Sequence, residues 1–357
     1  MSNVSSQATH RAVMTYIINS RTLRHAAIFM LLLAMPVLAG AQSTEKVFRL
    51  GYLGHTSPMR ELENVASRNP AAAVLVDALR ALGWSEGKNI QFVWRSAEGR
   101  FDRLPSLAEE LVQARVDVIV ASGVAADAAA RATKVIPIVM ASHYGPVPRL
   151  ADSLARPGRN VTGLTQGVGT EVQKQLGLLK QASPRVSRVA LVVQLQGGGT
   201  NDLPNITKQP RFVDAAKTLG LELFVVSFNE PSELRSTIQG AAQQGAHALL
   251  FDDIGVLTYP EHQRLIAEEA QRHRLLVMQY ILSSVENGGL MAYGRDYAST
   301  TRRAADFVDR VLKGAKPAEL PIEQPSRIEL HINVKAASAI GLEFPQSIFL
   351  QADRVIQ

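Results

Sequence analysis

The sequence predicts an α/β fold: two similarly built lobes, each a parallel sheet flanked by helices, joined by a multi-strand hinge. Three observations carry this. Short apolar runs alternate with segments of helical spacing along almost the whole chain after residue 46, the mark of strand–helix units in series and hence of parallel sheets. The alternation pauses over 166–184 and then restarts. One more strand, a long helix and another strand follow the second series.

The elements justify themselves in order. VFRLGYL (47–53) is a first strand, and residues 71–82 have helical spacing that stops at Gly83, a helix-ending residue. NIQFVWR (89–95) alternates as a strand. Over 104–114, Leu107, Leu111 and Val112 share one helical face. VDVIVA (116–121) and IPIVMA (136–141) are strands around a helix at 125–133. The first ends in Ser122-Gly123 and the second in Ser142-His143-Tyr144-Gly145, two permissive loops side by side. A loop rich in Pro, Gly and Arg precedes VTGLT (161–165). The second series has helices at 172–179, 212–219, 233–244 and 261–272. They alternate with SRVALVV, LELFVVS, AHALLFDD and LLVMQ. GGLMAYG (288–294), a helix over 297–312 and IELHIN (328–333) follow. Arriving after the second lobe is complete, such a strand and helix are expected to return to the first. The first lobe is therefore expected at 46–166 plus about 289–325, and the second at 185–288, with 326–357 as its candidate addition.

The first 41 residues read as a separate segment. Arg21 and Arg24 form a basic flank, 26–38 is apolar, and Ala39-Gly40-Ala41 is a small-x-small cleavage signature. This is the grammar of a signal peptide, so a periplasmic protein is expected. No cysteine follows, which excludes a lipid anchor. The formal charge of the whole chain is +6, half of it from Arg11, Arg21 and Arg24. What is left has no footprint for nucleic acid. The chain contains no cysteine, so disulfide and thiol chemistry are excluded.

Catalytic and cofactor motifs are absent from the sequence. No two of the eight histidines have HExxH spacing, and neither a metal nor another cofactor is expected. Ser122 lacks the glycine two residues earlier that a nucleophile elbow needs. Gly197-Gly198-Gly199-Thr200 lacks the Lys-Ser/Thr ending of a phosphate loop. Asp252-Asp253, directly after AHALLF, could face a ligand ammonium, hold a divalent cation or cap a helix. Polar groups at many strand ends without a catalytic set point to binding, so the chain is not expected to be an enzyme.

LGWSEGKNIQFVWRSAEGRFDRLPSLAEELVQARVDVIVASG resembles a run in the substrate-binding proteins of ABC importers, in the group that includes aromatic-amino-acid binders. IPIVMA, SLARPGRNVTGL, ENGGLMAYGRDY and LKGAKPAELPIEQPSRIELHINVKAASAIGL extend the resemblance, in order, over nearly all of the chain after the leader. It implies a type I periplasmic-binding fold: two Rossmann-like lobes, three hinge crossings and a ligand in the cleft. Binders of aromatic amino acids in this group carry a His-Pro pair after the first strand. Here His55 and Pro58 are separated by two residues. Their Glu-Glu-Ser pattern after the strand matching LLVMQ is YILSSVENGG in this chain.

In open parallel sheets, ligands sit beyond the carboxyl ends of the strands. The expected contacts are therefore at such ends. Ser122, Gly123 and Val124 would hold a carboxylate or other anion through N–H groups and a hydroxyl. Ser142, His143 and Tyr144 would continue that wall, and Gly54 and His55 would flank it. Tyr144 or Tyr280 would stack on an apolar part of the ligand. Asp252 or Asp253 would meet a ligand amine, with Asp296 at the hinge side. The implied partners are a small-molecule ligand, an amino acid or related carboxylate, and an ABC permease in the inner membrane, with the binding protein a monomer. A ligand-presenting sensory protein for a membrane receptor is the alternative, and an exported α/β enzyme a more distant one.

Overall fold

The computed structural model describes residues 46–63, 69–143, 147–166, 171–195, 208–251, 255–324 and 328–357. The expected signal peptide, Tyr144, Asp252, Asp253 and the glycine-rich segments at 167–169 and 197–199 lie outside the described residues. Val47–Gln357 group as one unit by their internal contacts.

The first lobe runs β1 (Phe48–Gly54), α1 (Pro70–Ala81), β2 (Ile90–Ser96), α2 (Leu104–Gln113), β3 (Val118–Ser122), α3 (Ala125–Ala132), β4 (Ile138–His143) and β5 (Val161–Thr165). Its strands are all parallel in the order β2-β1-β3-β4-β5. The central strand VIVAS is buried throughout, as expected of a strand covered on both faces. Helix α1 starts where its sequence says it must. Asn69 accepts a hydrogen bond from Ala72 N at 2.9 Å, and Pro70 occupies a first-turn position that needs no N–H donor. Its buried Ala72, Leu75, Val76 and Leu79 form one stripe.

The second lobe repeats the plan. It runs α4 (Glu171–Ala182), β6 (Arg188–Gln194), α5 (Pro210–Leu219), β7 (Glu222–Phe228), α6 (Leu234–Gln243), β8 (Ala248–Phe251), α7 (Pro260–Arg272), β9 (Leu276–Ile281) and β10 (Met291–Arg295). After α8 (Tyr297–Leu312), the chain adds β11 (Glu329–Asn333) and β12 (Arg354–Ile356). The sheet order is β12-β11-β10-β9-β8-β6-β7. Strands β6 to β10 thus reproduce the order of the first sheet, and β11 extends it antiparallel to β10.

Each lobe lends a helix to the other. Helix α4 leaves β5 and buries Val172, Leu176 and Leu179 in the second lobe beside Val189, Leu191 and Met278. Helix α8 leaves β10 and buries Ala304, Phe307, Val308 and Val311 in the first lobe beside Leu50, Val118 and Val139. The chain then pairs Glu323 with Leu164 at the edge of the first sheet before β11 returns to the second. It therefore crosses between lobes three times, through 166–171, 295–297 and 323–329.

Two strand assignments differ from the sequence expectation. GGLMAYG, expected to return to the first lobe, supplies β10 of the second sheet. Met291 lies opposite Met278 of β9 and Ile332 of β11 and is fully buried. Only the short helix Ser283–Glu286 separates β9 from β10, so β10 adds beside its predecessor. The crossing is made after Arg295. Likewise, Ser142 and His143 are the last residues of strand β4, not of a loop.

Candidate functional site

The first sheet changes winding direction between β1 and β3, and the crevice beyond that point is where open parallel sheets bind ligands. His55 follows β1 and Ser122 ends β3. His55 Nδ1 and Ser122 Oγ share a hydrogen bond of 3.0 Å across this switch point, and Tyr52 of β1 bonds the same hydroxyl. Burial pushes the His55 imidazole down to about 4, so it is neutral near pH 7. Burial also pushes the Tyr52 phenol up. The crevice floor is therefore polar and uncharged. Gly54 makes room for it: a Cβ there would stand 3.1 Å from the Tyr52 ring and 3.2 Å from Ser96 Oγ.

The β3–α3 turn is partly committed to the fold. Gly123 N donates to Ser142 O at 2.7 Å, so this N–H is not available to a solute, contrary to the sequence expectation. The β3–β4 register slips one residue at Ser122, opposing it to Ser142 and drawing the turn onto β4. Val124 is exposed, and no side chain caps the first turn of α3. His143 is fully buried against this turn. Its Nδ1 lies 3.2 Å from Gly123 O and 3.8 Å from the Asp127 carboxylate.

Ser142 reaches the other lobe through a residue the sequence reading passed over. Its hydroxyl bonds Gln166 Nε2. Gln166 Oε1 in turn accepts from the Tyr280 hydroxyl of β9 at 2.9 Å, and Gln166 O accepts from Arg295 Nη1 at 2.9 Å. Arg295 also pairs with Glu171 at 3.0 Å, both side chains about 10% exposed, which ties the first crossing to the second. Gln166 directly follows VTGLT, so the strand-end rule that selected Ser122 would have selected it too.

Tyr259, Glu61 and Asn69 were also missed. Tyr259 comes from the second lobe, beyond β8, and is almost fully buried. Its hydroxyl donates to Glu61 Oε2 at 2.5 Å and accepts from Asn69 Nδ2 at 2.8 Å, both in the first lobe. Burial and the adjacent Glu61 carboxylate push the Tyr259 phenol well up. Beside these contacts lies a cavity of about 100 Å³, lined from both lobes by Pro70, Val74, Thr258, Leu282, Asp296 and Tyr297. The Asp296 carboxylate caps α8 by accepting from Ala298 N at 2.9 Å.

The structure thus brings Gly54, His55, Ser122, Gly123, Ser142 and His143 to the carboxyl edge of one sheet. Tyr280 stands opposite, from the other lobe, and Asp296 at the second crossing. Among the described residues no group of three or more His, Asp or Glu side chains is placed to hold a metal ion. No described helix is long and apolar enough to cross a membrane.

A family profile described as ABC transporter substrate binding protein matches residues 66–356. A tyrosine-binding protein from Clostridioides difficile is 25% identical over 282 residues, 78% of each chain. A solved conserved domain protein from Vibrio cholerae O1 biovar El Tor superposes with a TM-score of 0.68 at 25% identity, over 87% of this chain and 100% of its own. A domain from Streptococcus pneumonia in complex with L-Trp gives 0.67 at 23% identity, again over 87% and 100%. The profile spans far more than half of the chain, and the protein belongs to the family of ABC transporter substrate-binding proteins.

Proposed function

We propose that the protein captures an amino acid or a related small carboxylate between its lobes and delivers it to an ABC permease. One observation carries the reading: the carboxyl ends of the two sheets meet. Tyr259 after β8 and Tyr280 on β9 touch Glu61, Asn69 and Gln166, which follow β1 and β5. Two such edges that part and meet through three crossings make a jaw. His55, Ser122 and Tyr52 give it an uncharged hydrogen-bonding floor. The uncapped start of α3 at Val124 offers N–H groups for a carboxylate. Ser142, His143 and Gly54 shape the wall. In this reading Tyr280 or Tyr144 would stack on an apolar part of the ligand, Asp252 or Asp253 would face its amine, and Asp296 would stand at the hinge side. The relatives named above for tyrosine or solved with L-Trp support an amino-acid class.

In this reading the leader directs a monomer to the periplasm. The test is mass spectrometry of small molecules released from natively purified protein, then calorimetry with the identified molecule. That molecule should raise the melting temperature with concentration, as a ligand of the native state does. Ser122→Ala and Asp252→Ala should weaken its binding, and unchanged affinity in both would overturn this site. Delivery is tested by uptake of the labelled molecule in cells lacking the gene, which should fall.

A further inference from the structure

The five strands of the first sheet run in one direction, so their starting ends share one edge, opposite the edge that meets the second lobe. Each strand follows an exposed Lys or Arg within four residues: Lys46 for β1, Lys88 for β2, Arg115 for β3, Lys134 for β4 and Arg159 for β5. In the order of the strands these cations form a row about 20 Å long, at about 4.8 Å per strand. The end of α8 is fastened to the same edge. Trp84 Nε1 donates to Asp309 at 2.9 Å and Gly158 N to Ala318 O at 3.1 Å, which brings the exposed Lys313 and Lys316 beside the row.

The connecting segments 82–89, 114–117, 133–137, 155–160 and 313–319 hold seven cations and three acids. Two of the acids are engaged: Asp117 accepts from Arg49 N at 2.7 Å, and Glu319 lies 3.7 Å from Lys316. Lys88, Arg115, Lys134 and Arg156 pair with no carboxylate among the described residues. Helix ends do not account for the row. The carboxyl ends of helices favour cations, and in both lobes helices end beside strand starts. In the second lobe, however, β7, β8 and β10 are entered through 218–221, 244–247 and 287–290 with no Lys or Arg, and only β6 and β9 follow one. The unbroken row belongs to the first lobe alone.

We infer that this edge is a docking surface for an anionic phospholipid bilayer. Two features select a bilayer. The cations come from separate loops spread along a row, which matches many dispersed negative head groups better than one small anion. The chain also enters the lobe here. Phe48 opens β1 at this edge, and only 42–45 separate Lys46 from the expected cleavage signature at 39–41. An uncleaved leader would hold this edge at the membrane, and the row would keep it there after cleavage. Docked by the first lobe, the protein turns the interlobe cleft away from the bilayer and leaves the second lobe free to move. The proposal rests on export and is independent of what the cleft binds.

The test is flotation of the protein, purified after export, with vesicles of phosphatidylglycerol and phosphatidylcholine in equal parts. Each Lys or Arg near such a surface contributes about fivefold in affinity. The protein should therefore bind these vesicles at low salt at least about a hundredfold more tightly than vesicles of phosphatidylcholine alone. Lys88→Gln, Lys134→Gln, Arg156→Gln and Arg159→Gln combined should remove about a hundredfold or more. Arg185→Gln, Lys208→Gln, Lys217→Gln and Arg264→Gln combined remove the same charge from exposed positions of the second lobe. They should change binding less than about fivefold, since screening confines the attraction to nearby charges. Both variants should melt with the parent, because every replaced side chain is exposed. Equal losses in the two variants, or equal binding to both kinds of vesicle, would overturn the proposal. Displacement from the vesicles by soluble polyglutamate at equal charge would assign the edge to an acidic protein and overturn it too. The measurements need no solute in the cleft, so they stand or fall apart from its function.

Discussion

The hydroxyl of Tyr259, in the second lobe, donates to the Glu61 carboxylate of the first at 2.5 Å and accepts from Asn69 at 2.8 Å. It is a latch made only when the lobes are together. A hydrogen bond to a charged group contributes about 1.5–3 kcal/mol, so it favours the closed state, and removing it shifts the population toward the open one. Tyr259→Phe removes the hydroxyl and keeps the ring. It is expected to weaken cleft binding about tenfold, mostly through faster release. Small-angle scattering of the unliganded variant should show a larger radius of gyration than the parent. An unchanged radius and unchanged release rate would remove Tyr259 from the closing mechanism.

His55 gives the protein a defined acid sensitivity. Its folded-state value, near 4, lies below the ordinary 6.5 because burial disfavours the charged ring. Above pH 6.5 both folded and unfolded states are neutral at this position, and it adds no pH dependence. As pH falls from 6.5 to 4, the unfolded chain takes up a proton that the folded chain refuses, so stability falls. One proton gives a slope of at most about 1.4 kcal/mol per pH unit, or about 3 kcal/mol in all. Urea unfolding between pH 7 and 4 should show this slope, and His55→Gln should flatten it by that amount.

The sheets were legible because buried parallel strands are short apolar runs, and VIVAS or ALLF can be little else. The first-lobe rim was legible for a related reason, since strand ends mark the crevice. Strand-lobe assignment was not. GGLMAYG reads as a strand, but whether it stays with β9 or crosses over depends on α8, whose Phe307 and Val308 match the first-lobe core in three dimensions only. The cross-lobe partners were hidden likewise. Nothing local in Glu61, Asn69 or Tyr259 says that 190 or more residues of chain bring them within hydrogen-bond reach. The Gly123 N–H was misread because the one-residue slip against β4 leaves no trace in the sequence.

Arg295 and Glu171 form a buried pair at the crossings, and Arg295 also holds Gln166 O. Removing one member strands the other charge, which costs about 3–5 kcal/mol. Arg295→Met should therefore destabilise the protein by that order. The double variant Arg295→Met, Glu171→Leu should recover most of the loss, and urea denaturation of the full cycle gives the coupling. Recovery of stability with continued loss of cleft affinity would separate the hinge-positioning role of Arg295 from its contribution to folding.

Gly294 and Gly177 make opposite predictions from the same substitution. A Cβ on Gly294 would fall 1.7 Å from Tyr280 O, inside the backbone of β9. The β9–β10 pairing is irregular at this point, between Ala292 and Arg295, and the close approach holds Tyr280 and Arg295 where both reach Gln166. Gly294→Ala must push the strands apart, and no flexible side chain can yield in its place. It should cost several kcal/mol, of the order seen for overpacked cores, and weaken cleft binding together with stability. Gly177 lies inside α4 with nothing within 4 Å of its added Cβ. Gly177→Ala should raise stability by about 0.5–1 kcal/mol through helix propensity and leave binding unchanged. Thermal unfolding and calorimetry on the two variants decide the matter. Equal tolerance of both would mean that the close β9–β10 approach does not hold the hinge residues.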